Sequence, residues 1–531
     1  MKELQSASVA APGFYGLNTQ ESGALLSDGF ALRASNCVID KYGRLGARKG
    51  WTMRTTSGSS ALSGSPIRSI FEYLNADGTI EYISAGNNKI FRNGVSGALT
   101  DMTPTMTITA SNWQMASLYD HCLMVQQGHE PVMFSRHTGS PVCDKLVNHS
   151  GHAGSFSSPV FGTGASNGPN CVLAAYGRFW VARSDNNKTT LYWSTDIADV
   201  DFPSFNTGGS SSAGSMNLNA KLPNNSDEIV GLAAHNGFII VFLRSNIIIL
   251  RGNDDNFSTP STMFVDDVIP GVGCVARDSI QKTGNDLLFL TPSGLRSLGR
   301  VVQEKSMPMT DISKNIRDDL YAYLANTNVN EIRSCFSQKN AFYLLSLPGT
   351  STPVVYCFDM RAPLPDGAAR VTSWDSYQAY AFSANRDGSL YIGKTNGIGE
   401  YYGYTDNGSS YPFIYYTTYF DFQQPTVNKI VKKVGVVMIG GGGQTIVLKL
   451  GFDYDDSYDS FPASLDTRTP AEYNISEYNI AEYSSGVFVD TINTPLGGQG
   501  KVVQIGFEAT VNGAPLSIQK MDIFTKLGRS Y

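Results

Sequence analysis

A repeated strand pattern between residues 66 and 410 limits the folds open to this chain more than any other feature. Each copy has a short apolar strand, a turn rich in Gly, Asn or Asp, a second strand, a polar turn and a third strand. Seven copies can be read, and they begin at residues 67, 113, 170, 227, 273, 331 and 376. Successive copies start about 45 to 60 residues apart, which is close to the blade period of β-propellers.

One such copy cannot cover both faces of its own sheet, but a radial arrangement buries each sheet against its neighbours. We therefore predict an all-β protein with a β-propeller of six or seven degenerate blades over residues 66–410. The alternative is a set of unrelated hairpins in β-sandwiches. The number of blades stays open because the N-terminal segment could complete one of them.

Two further regions flank the predicted propeller. Residues 1–65 read as a lead-in segment with a tight turn at 40–43 and a low-complexity linker at 55–65. Residues 411–531 hold longer alternating strands, which predict a C-terminal β-sandwich-like domain. Within it, the polar-aromatic repeat at 472–483 favours a surface loop or an interface edge.

The segment 311–326 breaks the β pattern. Its apolar residues recur at helical spacing, namely Ile312, Ile316, Leu320, Tyr323 and Leu324. We predict a helix packed on the outside of the ring, with Asp311 or Ser313 capping its start.

Composition narrows the class of protein. Only 16% of the residues are charged and 11% are aromatic, which suits a β-rich chain with much surface buried against partners. The net charge is −6 and no basic stripe is visible, which argues against a grip on nucleic acid but suits a duct through which DNA slides.

Membrane insertion, secretion and a disulfide framework are not expected. The most apolar stretch, 237–252, is interrupted at 244–246 and reads as a β-hairpin, and the N-terminus lacks the apolar core of a signal peptide. Seven widely spaced cysteines without a CxxC pair are typical of reduced, buried thiols in a protein made in a cytosol.

Five of the six histidines fall within 121–152 and form the densest group of metal-capable residues, together with two cysteines. The group comprises His121, Cys122, His129, His137, Cys143, His149 and His152. Only His149 and His152 have the close spacing of a zinc ligand pair. We favour ordinary loop and strand residues over a structural zinc, and we expect no metal.

Two acidic patterns also invite a functional interpretation. The segment 452–461 carries Asp453, Asp455, Asp456 and Asp459, but it lacks the Gly and Glu of a calcium-binding EF-hand loop, so we expect an exposed loop. The segments 75–84 and 383–393 resemble the Asp-box turns of sialidase propellers without the Trp, and those turns are structural.

We find no sequence pattern of an enzyme or of cofactor binding. The chain has no nucleophile elbow, phosphate loop, HExxH motif or dinucleotide-binding Gly pattern. We therefore expect a non-enzymatic protein without catalytic or cofactor-binding residues.

The segment 16–51 resembles the N-terminus of the tail nozzle proteins of short-tailed phages, a family that includes packaged-DNA stabilisation and tail tubular B-like proteins. The matching positions are Gly16, Asn18, Ala34, Asn36, Asp40, Gly43, Arg48, Gly50 and Trp51. Lys49 departs from the family pattern, in which Pro is common. A propeller followed by a β domain also agrees with the layout of the family.

The resemblance implies a virion protein made in the host cytoplasm. It would form a homohexameric tube at the distal end of the tail, beneath an adaptor ring, and would carry fibres or tailspikes. The tube would retain the genomic DNA and then release it without sequence-specific binding. The loops at 440–443 and around 207–215 are candidates for closing the channel, because both are rich in Gly or Ser.

The alternative function is a carbohydrate-binding or carbohydrate-cleaving propeller of a phage tail. That function predicts a solvent-open central cavity lined by aromatic and acidic residues. A cellular scaffold propeller of the WD type is disfavoured because no Gly-His or Trp-Asp dipeptides recur.

Overall fold

The computed structural model is all-β, with 51% strand and 8% helix. The structure describes residues 4–528 except for 76, 94, 96, 109–111, 137–139, 149–160, 162–167, 185, 198–203, 206–212, 224–225, 255–256, 285, 305–310, 327, 349–352, 441–443, 465–488 and 496. The prediction of an all-β protein with a β-propeller and a C-terminal β-sandwich-like domain is confirmed.

Six small antiparallel sheets stand in a ring, and we number these blades 1–5 and 7 along the chain. Blade 1 is Ile67–Leu74, Ile80–Gly86, Lys89–Asn93 and Leu99–Asp101. Blade 2 is Gln114–Leu118, His121–Val125, Val132–Ser135 and Val142–Lys145. Blade 3 is Cys171–Ala175, Arg178–Ala182, Thr190–Trp193 and Gly214–Asn217. Blade 4 is Ile229–His235, Phe238–Leu243, Asn246–Arg251 and Phe264–Pro270. Blade 5 is Gln281–Lys282, Leu287–Thr291 and Gly294–Ser297. Blade 7 is Ala381–Ala384, Leu390–Lys394, Gly397–Glu400 and Thr52–Met53.

A seventh unit fills the place between blades 5 and 7. This blade 6 belongs to a larger sheet and consists of Arg333–Ser337, Phe342–Leu347, Val354–Asp359 and Arg370–Trp374. A hydrophobic cluster packs between each blade and the next, and seven such clusters close the ring. Representative pairs in ring order are Tyr73 with Phe134, Leu123 with Val181, Trp180 with Val241, Phe242 with Phe289, Leu290 with Tyr343, Trp374 with Ile392, and Tyr391 with Phe91.

The N-terminal segment completes blade 7, a possibility that the sequence left open. Thr52–Met53 pairs antiparallel with Gly397–Glu400 and forms the outermost strand. The last blade therefore combines strands from both ends of the propeller sequence. This strand pairing holds the ring closed.

The remaining strands form a two-sheet sandwich from both ends of the chain. One sheet contains Gln5–Ala10, Cys37–Ile39, Leu45–Ala47, Lys429–Gly440, Val489–Pro495, Gln499–Gly500 and Leu516–Leu527. The other contains Gly16–Leu17, Phe30–Ser35, Tyr411–Phe420, Thr445–Phe452, Asp459–Ser464 and Val503–Val511. Their inner faces share one core, in which Val434 and Ile523 of the first sheet join Phe413 and Phe507 of the second.

The second sandwich sheet continues directly into blade 6. The strand Gly16–Leu17 pairs in parallel with Arg370–Trp374, and a ten-stranded sheet results. Residues 1–65, which the sequence set apart as a lead-in segment, therefore supply strands to the sandwich and to blade 7. Their strands are two to six residues long, too short for an alternating pattern to assign them.

The predicted helix begins as a 3-10 turn at Lys314–Ile316 and continues as an α-helix over Arg317–Asn326. Ile312, Ile316 and Leu320 are buried in the core that blades 5 and 6 share with the sandwich. The predicted cap by Ser313 is wrong, because its hydroxyl accepts a hydrogen bond from the Leu295 amide at 2.9 Å and donates to Asp311 at 3.1 Å.

Among the described residues, the other short helical elements are the α-helix Leu298–Glu304 and single 3-10 turns at Ser59–Leu62, Leu146–Asn148, Asn219–Lys221, Pro260–Thr262, Arg277–Ser279 and Val329–Glu331. In the part of the chain that the structure describes, no helix is long and apolar enough to cross a bilayer. All seven cysteines are unpaired thiols, and six of them are buried, as the sequence predicted.

Candidate functional site

A polar cavity of about 640 Å³, here called the axial pocket, opens at one end of the ring. Its lining comes from the starts of innermost strands and from turns between second and third strands, which lie at the same end of an antiparallel blade. Blade 1 and the residues before it supply Ser65, Pro66, Arg68, Asn87 and Asn88, blade 2 supplies Asn112, Gln126 and Gln127, blade 3 supplies Asn170, and blade 6 supplies Asn328, Asn330, Glu331 and Arg333. Since blade 6 stands across the ring from blades 2 and 3, the pocket lies over the ring axis.

A buried network beside the axial pocket joins four blades, and we call it the axial network. Arg277, which precedes blade 5, donates to the Asn170 carbonyl at 2.7 Å and to Asn112 Oδ1 at 2.8 Å. Arg333 of blade 6 donates to the same Asn112 oxygen at 2.7 Å. Asp278 accepts from Arg277 at 2.9 Å and lies 3.2 Å from Arg333. These bonds cross the ring, so the network fills its centre at this level.

Two guanidinium groups share a single carboxylate in this network. The side chains of Arg277 and Arg333 are only 6% and 8% exposed. Burial lowers the pKa of Arg333 to about 10, although Asp278 acts in the opposite sense. The pKa of Asp278 is below its ordinary value because Arg277 and Arg333 outweigh the effect of burial. The network therefore carries one excess positive charge.

Carboxamide side chains dominate the remaining wall of the axial pocket. Gln126 is 4% exposed, and its Nε2 lies 2.9 Å from His129 Nδ1, while its Oε1 has no hydrogen-bond partner. Asn112 uses its oxygen for both arginines and donates through Nδ2 to the Asn330 carbonyl at 2.6 Å. The glycan alternative predicted a lining of aromatic and acidic residues, whereas the lining residues that the structure describes include one acid, Glu331, and no aromatic side chain.

A second buried cluster, the N-terminal junction, ties the N-terminal segment to blade 7 and the sandwich. Arg48 is fully buried and forms a two-pronged pair with Asp406, at 2.8 and 2.7 Å. Its guanidinium also lies 4.5 Å from the ring centre of Tyr377 and 4.0 Å from that of Tyr411. Asn36 accepts from Arg48 Nε at 3.0 Å, so two residues of the segment 16–51 meet here.

Two glycines of the same segment allow close backbone contacts that a side chain would block. A Cβ at Gly16 would lie 2.3 Å from the Val371 carbonyl oxygen of blade 6. A Cβ at Gly50 would lie 1.9 Å from the Thr405 carbonyl oxygen. Gly16, Asn36, Arg48 and Gly50 of the segment 16–51 therefore lie where the propeller joins the sandwich.

A buried lysine borders the N-terminal junction. Lys394 Nζ lies 4.3 Å from the ring centre of Tyr377 and 4.6 Å from that of Trp51, and it donates to the Gln378 carbonyl. Burial lowers the pKa of Lys394 to about 7. The positive charge of Arg48 acts in the same direction, whereas the negative charge of Asp406 acts in the opposite direction.

The free energy of unfolding is therefore expected to rise between pH 7 and about pH 8.5. The unfolded chain holds a proton on this lysine up to its ordinary pKa of 10.5, whereas folded Lys394 has released it. The slope approaches about 1.4 kcal/mol per pH unit. Above about pH 8.5 the buried thiols lower the free energy of unfolding as the pH rises. Burial raises their pKa values, so the unfolded chain loses these protons at a lower pH than the folded chain does.

Urea unfolding midpoints at half-unit pH steps would test this expectation. Lys394→Met should remove the slope, whereas Lys282→Met, at an exposed position of blade 5, should keep it. Parallel curves for the wild type and Lys394→Met would contradict the assignment.

The histidine-rich region shows no metal site in its described part. His121 is a fully buried strand residue of blade 2, and His129 packs edge-on against Trp113 with ring centres 5.7 Å apart. Within the described ranges, no group of three or more His, Cys, Asp or Glu residues could hold a metal ion. His137, His149 and His152 lie outside those ranges.

The acidic segment 452–461 contains an exposed loop after the strand Thr445–Phe452, as predicted, and its last residues begin the strand Asp459–Ser464. Asp453 accepts backbone hydrogen bonds from Lys501 at 2.6 Å and from Val502 at 3.1 Å. Asp455 accepts from the Ser457 amide at 3.0 Å. These carboxylates therefore shape the loop.

The two Asp-box-like segments form equivalent turns in blades 1 and 7. In both, the aspartate accepts a hydrogen bond at 2.8 Å from the amide two residues on, from Thr79 to Asp77 and from Ser389 to Asp387. Both turns join the innermost strand to the second strand, so they lie at the opposite end of the ring from the axial pocket. Each aspartate therefore stabilises its own turn.

The two loops proposed to close a channel lie largely outside the described residues, which exclude 207–212 and 441–443. The repeat at 472–483 is also outside them. Sequence reasoning missed the axial pocket, because its residues, mostly Asn, Gln and Arg, stand singly or in short groups spread from 65 to 333.

Comparison with known proteins found similarity to solved structures only. No protein-family model and no curated protein matches the chain. The computationally designed Ika8 protein aligns at 10% identity with a TM-score of 0.32, over 64% of this chain and 96% of that one. The C-terminal WD40 domain of Sif2 aligns at 12% identity with a TM-score of 0.32, over 62% of this chain and 80% of that one.

Proposed function

We propose that this chain is a non-enzymatic structural virion protein, the nozzle subunit of a short-tailed phage. The observation that carries the proposal is the way the nozzle-like segment 16–51 is built into the fold. Its strands link blade 6 to the sandwich in one ten-stranded sheet, and its Arg48 pairs with Asp406, which lies between blade 7 and the sandwich strand Tyr411–Phe420. A propeller and a sandwich joined by a continuous sheet form a stiff unit, which suits a part that bears load.

A duct for DNA would lie between subunits in this arrangement. The axial network closes the centre of the propeller, and the cavity beside it, with a volume of about 640 Å³, is far too small to hold a duplex. We therefore propose a homohexamer whose subunits surround a shared lumen. Genomic DNA would pass through it without sequence-specific binding.

Exposed tyrosines support contacts with other proteins. Among the described residues, five of the nine large hydrophobic side chains that are exposed are tyrosines, namely Tyr42, Tyr119, Tyr321, Tyr402 and Tyr454. Tyrosine is enriched at protein interfaces because it offers a large apolar area with a polar end. We propose neighbouring subunits, the adaptor ring and a fibre or tailspike as the partners, in the tail of the virion.

Electron microscopy of the purified protein tests this proposal. We expect rings with six-fold symmetry around an axial channel. Isolated particles the size of one chain at all concentrations would count against the nozzle function. The alternative, a carbohydrate-binding or carbohydrate-cleaving propeller, would then have the axial pocket as its candidate site.

A further inference from the structure

The axial pocket has an excess of positive charge next to it. Arg277 and Arg333 share the single carboxylate of Asp278, and Arg68 lies 3.2 Å from Glu331. The described charged residues of the pocket and the axial network therefore sum to one positive charge. An unneutralised charge is costly in a buried site, and an anion bound nearby reduces that cost.

Arg68 is the arginine placed to contact such an anion. Its side chain is 35% exposed in the lining, and one of its nitrogens pairs with Glu331. A guanidinium has five N–H donors, and its planar fork matches a carboxylate. Arg333, by contrast, already donates hydrogen bonds to the carbonyls of Arg68, Asn330 and Ile332 and to Asn112 Oδ1.

The amides of the pocket suit hydroxyl groups. Each carboxamide offers both donors and an acceptor, as a hydroxyl does, and the lining draws such side chains from blades 1, 2, 3 and 6. The unpartnered Oε1 of Gln126 adds a buried acceptor beside the cavity. The volume of about 640 Å³ lies within the range of small-molecule sites.

We propose that the axial pocket binds a small hydroxylated carboxylate of the sugar-acid class. Arg68 pairs with the carboxylate, and the amides of the lining pair with the hydroxyl groups. This site goes beyond the nozzle function, which requires no ligand in the propeller.

Isothermal titration calorimetry with three probes tests the proposal on the full chain. Glucuronate carries both features, glucose carries only the hydroxyl groups, and acetate carries only the carboxylate. We expect glucuronate to bind more tightly than either of the other two. No heat with glucuronate, or equal affinity for acetate or glucose, would overturn the proposal.

Two variants with opposite expected effects locate the site. Arg68→Met should weaken glucuronate binding roughly 10- to 100-fold, because a charged hydrogen-bonded pair is lost. Glu331→Gln should strengthen it several-fold, because it removes the opposing charge and keeps the shape. Neither change should alter any weak binding of glucose by a comparable factor.

A matched control lies at the other end of the ring. Arg386 is exposed in the blade 7 turn, so Arg386→Met should leave glucuronate affinity unchanged. Thermal unfolding of each variant would establish that it is folded. Unchanged affinity in both Arg68→Met and Glu331→Gln would place any binding elsewhere and overturn the proposal.

Discussion

Replacing Arg48 with methionine is expected to lower the free energy of unfolding by about 3–5 kcal/mol. The change removes both bonds to Asp406 and leaves that carboxylate, whose side chain is 15% exposed, without its cation. Arg48→Lys should recover only part of the loss, because an ammonium cannot form the two-pronged pair. Urea unfolding followed by tryptophan fluorescence would measure the effect.

Arg44→Met is the matched control for this experiment. Arg44 pairs with Asp40 at 2.7 Å, but both side chains are partly exposed, at 18% and 23%. Exposed pairs contribute about 0–1 kcal/mol, so this change should be small. A similar loss in both variants would mean that the N-terminal junction does not hold the domains together.

Replacing Asp278 with asparagine is expected to cost about 3 kcal/mol or more. Its carboxylate lies within 3.2 Å of both Arg277 and Arg333, and without it two buried guanidinium groups face each other unneutralised. The thermal unfolding temperature should fall by several degrees. The double variant Asp278→Asn with Arg333→Met should regain part of the loss, because it removes one unpaired charge.

Asp366→Asn provides the comparison at an exposed ion pair. Asp366 lies 2.8 Å from Lys314, and their side chains are 37% and 49% exposed. We expect a change below about 1 kcal/mol. If Asp278→Asn were equally mild, the axial network would not be the buried link between blades that its geometry indicates.

Much of the architecture was predictable because strands and turns leave local signals. The repeats that begin at 67, 113, 170, 227, 273, 331 and 376 each became one blade. The two Asp-box-like segments also form turns, which begin at Asn75 and Asn385. Helical structure within the predicted segment 311–326 followed from its apolar spacing, since Ile316 and Leu320 enter the core, as does Ile312 just before the helical part.

The candidate site was not predictable, because it depends on contacts between distant positions. Asn112, Asn170, Arg277 and Arg333 are ordinary polar residues until the ring brings together the starts of their strands. Arg48 and Asp406 are 358 residues apart in the sequence, and only the folded ring brings them together. The short N-terminal strands gave no alternating pattern, so their place in the sandwich followed only from long-range pairings, such as that of Gln5–Ala10 with Leu516–Leu527 and that of Phe30–Ser35 with Tyr411–Phe420.

Light scattering of the purified protein over a range of concentrations tests the central claim, that this chain is a ring-forming structural subunit. We predict a species of about six times the single-chain mass of 57.5 kDa. A mass of one chain at every concentration would contradict the account.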